Sequence, residues 1–487
     1  MKIIARDNEI AKLKKFLVSD KAEFMAVYGR RRVGKTFLIR NYFADQDCLL
    51  FTATGIQNGT FLEQRTAFCN QISKLFYNNV KLEIPKSWME VFKLLNEAIE
   101  KITKAKKVVL FFDEFPWMAT PRSRLLQALE YYWNQFWNHD GRIKLIICGS
   151  LASWIIKNII SATGGLYQRV TYRLKISPFT LNETKLFLKK KGITLTHKQI
   201  TSLYMAFGGI PLYLEQAQKG VSTDEIIDQT CFNNNGLLFD ELKELFKSLF
   251  KEADIYLKII KTIAKHRHGI AKDALLKKLG LRRGGTLSQR LQELEDAGFI
   301  LSFIPYQYKE RGEFIKIIDE YTLFYFNWIA PNSSTIKNLA KPTGFWLEKT
   351  KEGAYQAWKG YAFESICYKH LPQVMAKLNL KASSIPFSWR SMLKQKNEGD
   401  GAQIDLLFDR GDDAITLCEI KYSDKPFLID KAYAKILDNK KKVFFEQTKT
   451  KKQLFMALIS ANGIQKSFYS ETIDNCVTLD DFFKNSI

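Results

Sequence analysis

The hydrophobic positions in the first third of the chain form short apolar runs separated by amphipathic stretches. The runs lie at 24–28, 48–52, 108–112 and 145–148. Short apolar runs of this kind are typical of buried strands, and the stretches between them have helical periodicity. Strands that alternate with helices predict an α/β fold built on a parallel sheet with crossover connections. A helical stretch follows, from residue 175 to about residue 248.

From residue 255 the pattern changes to three short helices followed by a hairpin. The helical stretches are 255–265, 272–279 and 287–297, and apolar segments at 298–301 and 313–318 flank a polar turn. This order predicts a winged helix.

The remainder of the chain contains a connector and a last α/β block. Residues 331–353 carry few structure signals and include Asn-Ser-Ser, so they are interpreted as the connector. Beyond it, the pattern predicts a helix at 358–370 and alternating strands at 403–408 and 414–422.

A chain of 487 residues is too long for one hydrophobic core and suggests about three domains. No apolar run reaches the length of about 18 residues needed to cross a bilayer. The best candidate, 145–156, is interrupted by Gly149, Ser150 and Ser153. The N-terminus carries charged residues too early for a signal peptide. We therefore expect a cytoplasmic protein with no membrane partner.

The seven cysteines are scattered without a Cys-x-x-Cys pair, which is typical of reduced core thiols. His266 and His268 lie close together, but no cysteine lies near them, so structural zinc is not expected. The net charge of +23 favours polyanionic partners: nucleic acid, nucleotide or an acidic membrane surface. A lysine-rich genome that decorates protein surfaces with Lys is the alternative explanation of the same charge.

One segment fits a phosphate-binding motif. Residues 29–36 follow the pattern G-x-x-x-x-G-K-[ST] through Gly29, Gly34, Lys35 and Thr36, between an apolar strand and a helix. The glycines let backbone amides approach phosphate oxygens at a helix N-terminus. Lys35 is expected to reach the β- and γ-phosphates, and Thr36 to bind Mg²⁺. The predicted cofactors are therefore ATP and Mg²⁺.

A second, acidic element supports this site. The strand at 108–112 ends in Asp113 and Glu114. Asp113 is expected to hold the Mg²⁺ shell, and Glu114 to orient or deprotonate the attacking water. A buried strand followed by a solvated acidic turn is the structural alternative.

Further polar positions near this site have two interpretations each. Ser150 ends the strand at 144–150 and either senses the γ-phosphate or caps the following helix. Arg169 is either an arginine finger or a member of an ordinary surface ion pair. The three arginines inside the loop, 30–32, are expected to point mostly to solvent.

The last α/β block carries a second candidate site. A hairpin through 410–414 would place Asp405 opposite or diagonal to Glu419, which lies two residues before Lys421. Like charges paired across a sheet are destabilising, and Mg²⁺ would offset them. Asp followed by Glu-x-Lys is the pattern of the PD-(D/E)xK nucleases, in which carboxylates hold metal and the lysine acts at the phosphodiester. Glu364 fits the accessory acidic residue of that fold. The alternative for the hairpin is that it is half-exposed and that Glu419 and Lys421 are merely solvated neighbours.

The predicted winged helix carries candidate nucleic-acid contacts. Arg282 and Arg283 lie just before a helix that contains Arg290, and residues 243–311 hold 15 basic and 8 acidic side chains. Side chains of this type contact phosphates and base edges at a recognition helix. DNA is therefore the predicted partner, with RNA left open. Many winged helices serve instead as protein-docking or lid modules.

In this order, the motifs resemble the bacterial and archaeal AAA+/STAND-type ATPases often called the archaeal ATPase family, which carry a C-terminal nuclease-like domain. The resembling segments are 6–9, 29–36, 113–117, 148–150, 165–169, 177–179, 208–211, 403–405 and 418–421. The phosphate loop alone is generic, whereas the ordered set spans almost the whole chain and is specific. Ala5 departs from the family, which usually has glycine before the Arg, so no adenine contact is carried over to this segment.

The resemblance implies an AAA+-like core with a helical lid, a winged helix and a restriction-endonuclease-like C-terminal fold. The predicted domains are a P-loop ATPase core at 1–175, a helical lid at 176–250, a winged helix at 251–330, a connector at 331–354 and a nuclease-like domain at 355–487. A homo-oligomer is left open.

These expectations combine into an ATP-hydrolysing enzyme coupled to a nucleic-acid-binding, Mg²⁺-dependent nuclease domain. A second class is a regulatory or defence switch whose inactive nuclease fold acts as a binding module. A third class is a chaperone-like or defence-signalling ATPase whose partner is another protein. Metal-dependent cleavage separates the first class from the second, and nucleic-acid stimulation of ATP turnover separates both from the third.

Overall fold

The computed structural model describes residues 2–162, 164–280, 285–308, 312–338, 344–391 and 402–484. It divides into two compact units, Met1–Pro178 and Phe179–Ile487, called here the first unit and the second unit. None of the helices among these residues is long and apolar enough to cross a membrane.

The first unit is an α/β fold around a five-stranded, all-parallel sheet. Its strands are β1 Glu23–Tyr28, β2 Cys48–Thr54, β3 Lys107–Asp113, β4 Ile143–Gly149 and β5 Tyr172–Lys175, in the order β2-β3-β4-β1-β5. Its helices are α1 Asp7–Val18, α2 Lys35–Ala44, α3 Phe61–Phe76, α4 Trp88–Glu100, α5 Phe115–Met118, α6 Leu125–Gln135 and α7 Ala152–Ile155. The parallel α/β sheet predicted from the alternating apolar runs is confirmed.

An aromatic core holds this sheet against its helices. Phe112 of β3 stacks on Phe92 of α4 at 5.8 Å between ring centroids, and Phe68 of α3 packs edge-on against Phe112 at 5.3 Å. Rings at these separations gain both buried area and favourable edge contacts. These ring contacts hold the end of β3 in place, and they therefore fix the position of Asp113, its last residue.

The second unit begins with helices and continues into a small module of helices and strands. The first helices are α8 Leu181–Lys190, α9 His197–Phe207, α10 Pro211–Leu214, α11 Thr223–Cys231 and α12 Glu241–Leu249. The next part, residues 253–317, is called here the three-helix module. It contains α13 Ala253–Ala264, β6 Ile270–Ala271, α14 Lys272–Leu279, α15 Gly285–Asp296, β7 Ile300–Phe303 and β8 Phe314–Ile317. Its strands form an antiparallel sheet in the order β6-β8-β7.

The stretch interpreted as a connector, 331–354, contains helices in its described parts, 331–338 and 344–354, and its role as a connector stays a prediction. A helix from α16 Glu320–Phe324 continues through Tyr325–Ile329 into α17 Ala330–Asn338, and α18 Phe345–Lys349 follows. Trp346 of α18 is buried and stacks on Phe232 at 5.5 Å. Asp228 accepts hydrogen bonds from the first backbone amides of α18. Trp346 also packs against Phe324, Trp328, Tyr355 and Trp358, so this short helix is stabilised by an aromatic cluster of near and distant residues that no local periodicity reveals.

The last part of the second unit, residues 353–483, is called here the C-terminal domain. Its helices are α19 Gly353–Lys369, α20 Leu371–Lys377 and α21 Lys431–Thr448. Its strands are β9 Ile385–Arg390, β10 Gln403–Asp409, β11 Ala414–Lys421, β12 Phe427–Leu428, β13 Gln453–Ser460, β14 Ile464–Gln465 and β15 Asn475–Thr478. Five of them form a mixed sheet in the order β15-β13-β11-β10-β9, in which β10 is antiparallel to β11 and β11 is parallel to β13.

Candidate nucleotide and metal sites

The phosphate-binding loop connects the end of β1 to the start of α2. Gly29 has a φ of 140°, and a Cβ there would lie 2.2 Å from the carbonyl oxygen of Ile176. Gly34 has a φ of 90° and is the N-cap of α2. Both positions therefore require glycine, for backbone conformation at each and for close approach at Gly29. The N-terminus of α2 is left with backbone N–H groups that suit an anion.

Lys35 is buried within this loop. Its Nζ donates hydrogen bonds to the carbonyl oxygens of Gly29 and Arg30, each at 2.9 Å. Burial lowers the pKa of Lys35, and the carboxylates of Glu114 and Asp113 partly offset that effect. A buried ammonium group at a helix N-terminus is suited to the phosphates of a nucleotide.

Thr36 and Asp113 meet at the end of the sheet. The Thr36 hydroxyl donates to Asp113 Oδ2 at 2.8 Å, and Asp113 is only 2% exposed. A hydroxyl and a carboxylate are oxygen ligands of the kind that Mg²⁺ prefers. The structure thus brings together the two residues that were predicted to hold this ion.

Glu114 and Ser150 form a second pair at the same end of the sheet. Glu114 has a left-handed φ of 44°, and its Oε2 accepts hydrogen bonds from Ser150 Oγ at 2.8 Å and Ser150 N at 3.1 Å. The interpretation of Ser150 as a helix cap is wrong, because Leu151 is the N-cap of α7 and the Ser150 hydroxyl points to Glu114. A role for Ser150 at the γ-phosphate stays a prediction.

Arg169 lies in an exposed loop of the first unit. Its Nε donates to the carbonyl oxygen of Gly165 at 3.4 Å, within the same loop. Its proposed role as an arginine finger stays a prediction.

Arg6 supports the loop although no function was assigned to it from the sequence. Its Nη2 donates to the carbonyl oxygen of Val33 at 3.1 Å, and its Nη1 pairs with Glu9 at 3.1 Å. Arg6 and Glu9 are the first and last residues of one of the resembling segments, 6–9. The sequence therefore marked this segment without explaining its role. The structure indicates that this segment holds the phosphate loop in place.

Asp405 lies on β10 beside the strand that carries Glu419 and Lys421. Leu406 pairs with Cys418 in the antiparallel register, so the neighbouring positions 405 and 419 face each other across the hairpin, as predicted. The Asp405 Oδ1 accepts a hydrogen bond from Gln403 Nε2 at 2.7 Å. The predicted carboxylates are thus adjacent in the sheet.

Glu419 has three partners in the C-terminal domain. Its Oε2 lies 2.6 Å from Lys440 Nζ, and its Oε1 lies 3.1 Å from Lys421 Nζ and accepts from the Tyr433 hydroxyl at 2.5 Å. Burial alone would raise the pKa of Glu419, but Lys440 and Lys421 hold it below its ordinary value. Glu419 is therefore a stable anion that is already neutralised by cations.

Glu364 of α19 has the opposite electrostatic setting. Burial raises its pKa to about 8, and the negative charge of Asp405 acts in the same direction. Lys316 of β8, which lies in the three-helix module, opposes the shift. The pKa of Lys316 is itself lowered to about 7 by burial. Two partly buried ionisable groups, Glu364 and the unpredicted Lys316, therefore lie close to Asp405.

An open cleft collects these groups in the second unit. The residues that line it include Glu364, Gln403, Asp405, Glu419, Lys421, Lys435, Asn439 and Lys440, together with His268. Lys435, Asn439 and Lys440 come from α21, and no site role was assigned to them from the sequence. The spacing of Lys435 and Asn439 was a usable signal, because helix positions four residues apart lie on one face.

The predicted nucleic-acid contacts are covered only in part by the structure. Arg282 and Arg283 lie outside the described residues. Arg290 pairs with Glu252 at 2.6 Å, and its side chain is 13% exposed. A phosphate contact by Arg290 would therefore compete with this ion pair, and the role of all three arginines stays a prediction.

Comparison with known proteins identifies the ATPase part of the chain. Residues 4–217 match a family model described as an ATPase domain predominantly from Archaea. This match supports an ATPase function for these residues and confirms the predicted P-loop ATPase. It ends before the three-helix module and the C-terminal domain, whose functions stay predictions.

The individual proteins that are similar to this chain share between 12% and 26% of their residues with it over the matched regions. An uncharacterized protein of Methanocaldococcus jannaschii is 26% identical over 425 residues, which cover 86% of this chain and 88% of that protein. The Walker-type ATPase of Pyrococcus abyssi is 18% identical with a TM-score of 0.49, covering 66% of this chain and 96% of that one. The Aeropyrum pernix ORC2 protein is 12% identical with a TM-score of 0.42, covering 69% and 96%.

Proposed function

We propose that this chain hydrolyses Mg-ATP in its first unit and cleaves nucleic acid at a metal-dependent site in its second unit. For the first activity, the observation that carries the proposal is the hydrogen bond between Thr36 and Asp113 at 2.8 Å. It joins the end of the phosphate loop to the end of β3. An oxygen-ligand pair placed beside a buried lysine is what phosphoryl transfer requires.

The residues of the first site divide the work of hydrolysis. Bound Mg²⁺ supplies neutralising charge for the phosphates. Lys35 binds phosphate oxygens, while Thr36 and Asp113 hold the ion. Glu114 orients the attacking water and accepts its proton, and Ser150 keeps the Glu114 carboxylate in position.

For the second activity, the supporting observation is the cleft that joins carboxylates to lysines. Glu364, Asp405 and Glu419 supply oxygen atoms, and Lys421 lies at the rim of the same cleft. Metal-assisted hydrolysis of a phosphodiester needs an ion to polarise the phosphate and a cation to stabilise developing negative charge. Lys421 is the residue proposed for the second task.

The cleft also has the charge that a nucleic acid requires. Lys435 and Lys440 of α21 line it beside Lys421. Lysines along a groove neutralise backbone phosphates without reading sequence. We therefore propose a nucleic-acid substrate. Arg282, Arg283 and Arg290 of the three-helix module are proposed as additional phosphate contacts, since its order of helices and strands is that of a winged helix.

A second candidate function is favoured by the surroundings of Glu419. Its two oxygens are engaged by Lys421, Lys440 and Tyr433, and an oxygen held in this way is less available to a metal ion. The C-terminal domain would then be an inactive nuclease fold that binds nucleic acid under the control of ATP.

Cleavage by the full chain separates these functions. We expect Mg²⁺- or Mn²⁺-dependent cleavage of single- or double-stranded DNA or RNA, measured with and without ATP. Lys421→Ala should lower the cleavage rate at least about 100-fold while metal binding is retained, because the lysine acts on the transition state. Lys425→Ala, an exposed lysine nearby, is the matched control. Binding of these nucleic acids with no cleavage under any condition would support the second candidate and overturn the first.

A further inference from the structure

A histidine of the three-helix module lies beside the carboxylates of the C-terminal domain. His268, Glu364 and Asp405 each present one ligand atom, and these atoms all lie within 4.8 Å of one another. Among the described residues, this is the set of His, Cys, Asp and Glu side chains gathered closely enough to share an ion. The sequence had excluded His268 because no cysteine lies near it, and its neighbours are instead two carboxylates distant in the chain.

The backbone at His268 is held from both sides. Gly269 has a left-handed φ of +87°, which glycine adopts without strain, and it turns the chain into β6. Ile270 of β6 then pairs with Ile315 of β8. From the C-terminal domain, Arg390 Nη2 donates to the carbonyl oxygen of His268 at 2.6 Å. The imidazole is therefore presented to the cleft by a fixed turn.

The side-chain amide of Gln403 lies between the acceptor atoms of His268 and Asp405. Its Nε2 lies 2.7 Å from Asp405 Oδ1 and 2.8 Å from His268 Nδ1. An amide nitrogen donates to both, so the imidazole nitrogen accepts and carries a lone pair on this side. A cation that replaced the Gln403 amide nitrogen would meet the same two lone pairs, one from Asp405 and one from His268.

The ligand chemistry selects a class of metal. Two ligands on opposite sides of an ion with bonds of about 2.1 Å lie about 4.2 Å apart, so the observed group needs only a small contraction. Carboxylates alone suit Mg²⁺ and Mn²⁺ alike, whereas an added imidazole favours a divalent transition metal over Mg²⁺. Mn²⁺ is the transition metal that best tolerates a ligand set dominated by carboxylates.

We propose that His268, Glu364 and Asp405 bind one divalent transition-metal ion of the Mn²⁺ class, so that a residue of the three-helix module completes the metal site of the C-terminal domain. This inference rests on the metal-dependent site proposed above and assigns it a nitrogen ligand. The ion then links the two parts of the second unit. Removing the module's contribution weakens metal binding even when both carboxylates are intact.

The test measures metal alone, without nucleotide or nucleic acid. The full chain carries Asp113→Asn, so that the first unit contributes no ion, and is titrated with Mn²⁺ and Mg²⁺ by calorimetry. We expect Mn²⁺ to bind at least about ten-fold more tightly than Mg²⁺. His268→Ala should remove most of that preference, and pulsed electron paramagnetic resonance of bound Mn²⁺ should lose its ¹⁴N coupling. His266→Ala, two residues away and hydrogen-bonded to Thr262, should retain both.

The outcomes distinguish this inference from the proposed function. A ¹⁴N coupling or a Mn²⁺ affinity that is unchanged in His268→Ala overturns the inference. If Glu364→Gln and Asp405→Asn still abolish binding in that case, the metal site of the proposed function stands without His268. If the parent chain binds neither metal, both fail. His268→Gln, which keeps a polar side chain for Gln403, is measured in parallel, and the circular dichroism of each apo variant must match the parent.

Discussion

In the first unit, the carboxylates at the end of β3 are held by neutral groups, whereas in the C-terminal domain Glu419 is held by cations. The Thr36 hydroxyl bonds to Asp113, and the Ser150 hydroxyl bonds to Glu114. Neutral donors orient a carboxylate without cancelling its charge. The first site therefore keeps negative charge available for the cation that accompanies a nucleotide.

The second site balances its own charge. Lys421 and Lys440 neutralise Glu419, while Glu364 faces Lys316 across the boundary with the three-helix module. A buried carboxylate and a buried ammonium group each lose hydration, and the pKa values of Glu364 and Lys316 shift toward the neutral forms for that reason. The comparison indicates that the first site can accept a cation without breaking an ion pair of its carboxylates. In the second site, a cation would have to compete with the lysines that surround Glu419 and Glu364.

The largest effect should come from the lysine of the phosphate loop. Lys35→Ala removes the buried ammonium group that faces the phosphates, so ATP hydrolysis should fall at least about 100-fold. Phosphate release and binding of a fluorescent ATP analogue measure this. Lys14→Ala, an exposed lysine on α1, is the control and should retain the parent rate. Equal losses in the two variants would mean that the loop lysine has no special role.

A graded loss is expected for Glu114 and Ser150, the hydrogen-bonded pair proposed to orient the attacking water. Glu114→Gln should bind ATP and hydrolyse it at least about 100-fold more slowly, because an amide cannot accept the proton. Ser150→Ala leaves the carboxylate but removes its hydroxyl partner, and a hydrogen bond to a charged group contributes about 1.5–3 kcal/mol. The Ser150→Ala rate should therefore fall at least about ten-fold in single-turnover assays. An ATP hydrolysis rate of Glu114→Gln equal to that of the parent would show that another residue activates the water.

The smallest effect concerns the stability of the second site and its dependence on pH. Because burial raises the pKa of Glu364 to about 8, the folded chain keeps a proton that the unfolded chain releases above its ordinary pKa. The free energy of unfolding therefore falls as pH rises from about 5 to 7, by at most about 1.4 kcal/mol per pH unit from this group. Glu364→Gln cannot ionise, so it should gain stability relative to the parent across this window.

Urea unfolding of the metal-free chain at a series of pH values measures this difference. The comparison with the parent cancels other titrating groups, among them His370, whose pKa burial lowers to about 4. Glu348→Gln, at an exposed glutamate of α18, is the control and should parallel the parent. A difference between parent and Glu364→Gln that is constant with pH would show that Glu364 is ionised in the folded chain.

The nucleotide site was accessible to sequence reasoning because its parts are local or end at one sheet edge. Gly29, Gly34, Lys35 and Thr36 follow one another within eight positions, and Asp113 ends a recognisable buried strand. The carboxyl ends of parallel strands meet at one edge, so the meeting of Thr36 and Asp113 followed from the alternating pattern. The bond between Ser150 and Glu114 did not, since a strand-end serine gives no indication of which neighbour it will contact.

The C-terminal site was only partly accessible. Alternation along β10 and β11 was enough to place Asp405 beside Glu419, because antiparallel register follows from a short hairpin. The partners of Glu419 were not predicted, since Lys440 lies on a helix whose docking angle no local pattern encodes. The helical segment around Trp346 was missed because a five-residue helix is too short to show periodicity and depends on an aromatic cluster that includes the distant Phe232.

The sequence by itself determined the phosphate loop, the acidic strand end, the parallel sheet and the Asp…Glu-x-Lys hairpin, because each depends on residue spacing within one element or between adjoining ones. Only the tertiary structure decided which charges meet. It brought His268 and Lys316 of the three-helix module to Glu364 and Asp405, and it paired Glu419 with lysines. The interaction between two charges depends on their distance in space and on their exposure to solvent, and packing between distant segments sets both.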